Sequence, residues 1–258
     1  MKLVSNKKFV LLLEIFISII FGLTILSIPL FSFLKGYFII TWVLTFILVA
    51  ACLFYIIVYG EIKIDLVVLL LLSFILSSII GSALTLFKSF LFTPIFNVCI
   101  IVFLYCYFSN CNQRQKNRCI LSIYIALSIF AVIFCLKYRN ELISLDFRRL
   151  GSEFGDENDI SIILSVGYCL SFYYFLFGKK IVLRILEILS AICFAALSFT
   201  CGSKISIFII IICSIFCVYK FFGKKHWYIS TILILLLLGG VVFVLTLSPF
   251  ATLKERFL

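Results

Sequence analysis

The residues with the most chemistry in them lie in two short segments. The first is FRRLGSEFGDENDISIIL, residues 147–164. It carries tandem arginines, Arg148 and Arg149, then Gly151 and Gly155, then Asp156, Glu157, Asn158 and Asp159. Guanidinium groups bind phosphate oxygens through two parallel hydrogen bonds, so tandem arginines suit a diphosphate. They equally suit neighbouring acids or lipid headgroups. Residues 156–159 open an apolar run, where acids and asparagine cap the free N–H groups of a helix and complement its dipole. The second segment is SFTCGSKISIF, residues 198–208. Gly202 allows a tight turn, and Lys204 stands at the edge of the next apolar run. There it either snorkels to water or adds a cation to a headgroup-level site.

Elsewhere the chemistry is sparse. Glu14 lies within an apolar run, where Lys7 and Lys8 can reach it. Glu187 follows Arg184 by three residues, the spacing of a local ion pair on one helix face. His226 is the only histidine and abuts Lys224 and Lys225. Gly239-Gly240 suits close helix packing. No P-loop, zinc-protease or nucleophile-elbow motif occurs. The eleven cysteines form no CxxC pair. Cys52, Cys99, Cys106, Cys135, Cys169, Cys193, Cys213 and Cys217 fall in apolar runs as small hydrophobes. Cys111 and Cys119 flank a basic turn, and Cys201 sits beside Gly202. Metal and redox readings are therefore weak.

The elements that must position these residues follow from composition. Of 258 residues, 65% are hydrophobic and 13% charged, with a mean hydropathy of +1.30. Soluble domains sit near ~45–50% apolar and ~25% charged. An ordinary soluble enzyme and a disordered chain are excluded, and an all-α polytopic membrane protein is expected. The net charge of +11 would suggest nucleic acid in a soluble domain. Here the cations sit in short loops, so they set orientation and no nucleic-acid partner is expected. Apolar runs predict about nine spans, at 9–29, 37–59, 64–87, 90–108, 119–137, 158–177, 182–200, 205–221 and 227–247. They form one transmembrane domain, 1–258. The compact basic turns NQRQKNR, GKK and FGKKH share one side if the N-terminus is inside, which leaves the C-terminus outside. The loop 138–157 then lies outside. It breaks the charge rule with Arg139, Arg148 and Arg149, and it is the longest polar stretch, so it holds the candidate site.

Segment 148–165 resembles the Arg…Gly…Phe…Asn-then-helix signature of the O-antigen ligase and Wzy-type O-antigen or capsule polymerase superfamily, through Arg148 or Arg149, Gly151, Phe154 and Asn158. Thr200-Cys201-Gly202-Ser203-Lys204 resembles that superfamily's Thr-x-Gly-Ser-Arg turn, with lysine where arginine is usual. The likeness covers roughly residues 145–247. It implies a metal-independent membrane glycosyltransferase of the bacterial cytoplasmic membrane, without cofactor. Such an enzyme transfers an undecaprenyl-diphosphate-linked glycan to a sugar hydroxyl on the outer face, in polysaccharide biosynthesis. Membrane lipid surrounds it, and a chain-length regulator is an expected partner. Arg148, Arg149 and Lys204 would hold the diphosphate. Glu153, Asp156, Glu157 and Asp159 are the candidate general bases. Gly151, Asn158 and Gly202 would be structural. Superfamily members continue beyond a ninth span into a large outer loop and further spans. The sequence therefore reads as a truncated copy, a fragment or a minimal member. The alternatives are a lipid-linked glycan transporter and a non-catalytic remnant.

Overall fold

In the computed structural model the described residues are 7–33, 38–59, 67–70, 92–144 and 150–222, with the single positions 73, 76, 228, 232 and 239. Among them every regular element is helical. The helices are α1 (Lys7–Phe33), α2 (Phe38–Tyr59), α3 (Phe92–Asn110), α4 (Gln113–Lys137), the short α5 (Arg139–Ser144), α6 (Glu157–Phe177), α7 (Ile181–Thr200) and α8 (Lys204–Phe222). A 3-10 turn spans Ser152–Phe154. Six of these, α1, α2, α4, α6, α7 and α8, are long and apolar enough to cross a membrane. The chain is thus a multi-pass membrane protein by the length and composition of its helices. The expected span at 227–247 and most of that at 64–87 lie outside the described residues, as do Arg148 and Arg149.

The helix α4 begins six residues earlier than its apolar run. The basic stretch expected to be a turn is instead its first turn and a half. The cause is a reciprocal cap. Asn112 Oδ1 accepts from Gln115 N at 2.9 Å, and Gln115 Oε1 accepts from Asn112 N at 2.8 Å. Two helix-start donors are satisfied without hydrophobic help.

The chain divides into two compact units. Unit 1 comprises residues 1–24 and 39–123. Ile17, Phe21, Leu48, Cys52, Tyr55 and Tyr107 are buried in it. Glu14 is buried too. Its carboxylate receives the guanidinium of Arg118 at 2.8 Å. A charge about two turns inside a span is costly alone, and a cationic partner on another helix offsets that cost. Gly22 lies so close to Ser122 that any side chain there would collide, which lets α1 and α4 approach closely.

Unit 2 comprises residues 25–38 and 124–258. Its described centre is α6, which packs on both α7 and α8. Half of α6 is buried, more than of any other spanning helix. Gly167 admits the ring of Phe194 against the α6 backbone. The sequence-suggested pair of Arg184 and Glu187 is not formed. Arg184 Nε donates to Phe175 O at 2.8 Å, and Glu187 accepts from Tyr124 at 2.6 Å. A guanidinium beside a helix C-terminus finds an unsatisfied carbonyl there, which competes with the carboxylate.

Candidate functional site

The two chemical segments meet at one end of unit 2. Leu150 N donates to Thr200 O at 3.0 Å, joining the start of one to the end of α7. Gly151 follows with φ +117°, a conformation that L side chains rarely adopt. It sits against buried Cys201 and Ile160, since a Cβ there would lie 3.5 Å from each. The turn then closes through Phe154 N donating to Gly151 O at 2.9 Å. Across the junction, Gly202 has φ +70°, and its N–H donates to Phe199 O at 3.0 Å. That reversal ends α7 and starts α8 within three residues.

Phe154 anchors the turn. It is buried, with its ring 5.4 Å from Phe130, 5.8 Å from Phe134 and 6.0 Å from Tyr138. Tyr138 Oη accepts from Glu153 N at 3.4 Å. Burial pushes the Tyr138 phenol above its ordinary range, so it stays a neutral hydroxyl at physiological pH. Lys137 Nζ meets Glu153 Oε2 at 2.6 Å. A loop of glycines and acids is therefore pinned by the Phe154 plug, the Lys137–Glu153 ion pair, the Tyr138–Glu153 hydrogen bond and the Leu150–Thr200 backbone bond.

The four candidate carboxylates have different circumstances. Glu153 is held by Lys137. Asp156 is the N-cap of α6 and accepts from Asn158 N at 2.7 Å. Glu157 and Asp159 stand in the first turn of α6. Asp159 is exposed and has no hydrogen bond or ion pair among the described residues. Asn158 contributes its backbone N–H to the cap. Lys204 is exposed at the first position of α8. Among the described residues no group of three His, Cys, Asp or Glu converges as a metal site.

Beneath the junction lies a seam that the sequence reading missed. Ser161, Ser165, Ser198 and Ser206 are buried and bonded to one another. Ser161 Oγ donates to Ser206 Oγ at 2.7 Å, and it lies 3.1 Å from Ser198 Oγ. Ser165 Oγ lies 2.9 Å from Ser198 Oγ. The signal was present: Ser161 and Ser165 stand one turn apart on an apolar helix, so they share a face. Hydroxyls in hydrocarbon must find partners, and across helices they find each other. The seam holds α6, α7 and α8 together just below the segments they carry.

Comparison of the chain with family models, with curated proteins and with solved structures returned no match.

Proposed function

We propose that this protein is a membrane glycosyltransferase of the polymerase or ligase type. Its donor is an undecaprenyl-diphosphate-linked oligosaccharide on the outer face of the bacterial cytoplasmic membrane. The observation that carries the reading is the 3.0 Å bond from Leu150 to Thr200. It draws the segment after the tandem arginines onto the turn that bears Lys204. Departure of a diphosphate develops negative charge, and cations fixed at the membrane boundary stabilise it. Arg148, Arg149 and Lys204 fill that role in this reading. Asp159 serves as the base that takes the acceptor hydroxyl's proton, because Lys137 and the helix cap engage Glu153 and Asp156. The exposed placement of Lys204 and Asp159 at a bundle end favours a rim site over the enclosed path of a carrier.

The test uses a host deleted for the gene, with its lipid-linked and surface glycan displayed on a gel. Adding back the full chain restores a ladder of repeat units. The chain with Arg148→Ala and Arg149→Ala, present in the membrane at equal level, leaves single units. Full ladders in the deleted host would overturn the reading.

A further inference from the structure

A second polar cluster lies in unit 2, apart from the junction and not dependent on its reading. It joins three spanning helices. Tyr124 of α4 donates its hydroxyl to Glu187 Oε2 of α7 at 2.6 Å. Tyr124 Oη is 3.1 Å from Ser190 Oγ of α7 and 3.2 Å from Ser171 Oγ of α6. The two serine oxygens are 3.1 Å apart. Three hydroxyl oxygens thus form a nearly equilateral triangle, and a carboxylate stands beside it.

Among the described residues Glu187 meets no cationic side chain. Its hydrogen bond from Tyr124 is its single polar contact among the described residues. The nearest cation in sequence, Arg184, is turned away: Nε goes to Phe175 O at 2.8 Å, and the guanidinium lies 5.4 Å from the Phe175 ring. Among the described residues Tyr174 of α6 also faces the cluster, its ring 5.7 Å from that of Tyr124. A carboxylate inside a span calls for neutralisation and marks a functional site by default.

We infer that Tyr124, Ser171, Glu187 and Ser190 form a binding site for a small monovalent cation, with sodium the best match. Charge balance selects the valence. One carboxylate cancels one positive charge, whereas a divalent ion would leave an uncompensated charge in hydrocarbon. The donor type selects the class, since carboxylate and hydroxyl oxygens are hard ligands that suit alkali and alkaline-earth ions rather than soft metals. Geometry permits the exchange. Tyr124 donates its proton to Glu187 and accepts from Ser171, so rotation of the Ser171 hydroxyl frees that lone pair for an ion. Serines on helices readily turn their protons to the carbonyl four residues back, which frees Oγ to face an ion.

The experiment measures thermal unfolding of the full chain in detergent, in sodium chloride and in choline chloride of equal ionic strength. Sodium is expected to raise the midpoint of the wild type in a saturable way and to leave Glu187→Gln unmoved. Ser171→Ala and Ser190→Ala are expected to shift the half-saturating sodium concentration upward about tenfold, the effect of about 1.4 kcal/mol. These two keep the test valid if Glu187→Gln fails to fold. Sodium should also slow modification of Glu187 by a hydrophobic carbodiimide. An equal sodium response in wild type and Glu187→Gln overturns the site. So does a choline response as large as that to sodium. Carbodiimide labelling of Glu187 that sodium leaves unchanged overturns it in favour of a bound proton.

Discussion

At the scale of single residues, the junction depends on positions that tolerate little change. Phe154 is surrounded by three aromatic rings, and truncating it opens a cavity in a packed cluster. Phe154→Ala is expected to destabilise this end of unit 2 by about 3 kcal/mol, read as a lower unfolding midpoint in detergent. Gly151 is set by its backbone. Gly151→Ala forces a Cβ into a left-handed conformation against Cys201 and Ile160, and should cost about 1–2 kcal/mol. The same measurement checks it. Asp159→Asn leaves the Asp156 cap intact, so the proposed chemistry predicts a fall in glycan extension of about a hundredfold or more at unchanged membrane level. An unchanged ladder would remove Asp159 from the reaction. Gly151 and Asp159 stand out in the sequence because glycines and acids are conspicuous on an apolar background, whereas Phe154 is marked there only by the resemblance. Sequence alone could not tell the four carboxylates apart. That distinction rests on Lys137 meeting Glu153 and on which acid caps α6, and both are matters of three-dimensional placement.

At the scale of elements, the helices were legible and their partners were not. A run of about 20 apolar residues declares a spanning helix whatever it packs against. Six of the expected runs are such helices. Hydropathy is blind to caps, so it places the start of α4 too late: Asn112 and Gln115 extend the helix through a basic stretch. Sequence spacing shows only neighbours on the same helix. It cannot show that Arg118 meets Glu14 or that Tyr124 meets Glu187, because both come from other helices. The close approach of α6 and α7 at Gly167 gives a further prediction. Gly167→Leu drives a side chain into the Phe194 ring and should separate the pair. Cross-linking between cysteines at positions 165 and 198, whose side chains meet at 2.9 Å across this interface, should then drop sharply in an otherwise cysteine-free chain. Undiminished cross-linking would show that the interface absorbs the added volume.

At the scale of the whole molecule, the ends of α4 supply a test of topology. The helix is long enough to span, so exposed positions 112 and 140 should lie on opposite sides of the membrane. Single cysteines there should react with an impermeant maleimide from opposite faces, with 140 reacting from outside intact cells. Labelling of both from one face would sink the proposed orientation and the outer-face site with it.

The two compact units are interleaved along the chain, and this bears on biosynthesis. Residues 25–38 belong to unit 2, but the rest of that unit begins only at residue 124. A ribosome adding about 5–20 residues each second therefore delivers the end of α1 to the membrane many seconds before α6, α7 and α8 exist. Unit 1 can close first. The last third of α1 must wait among lipids, so an insertion chaperone would find its client in that interval.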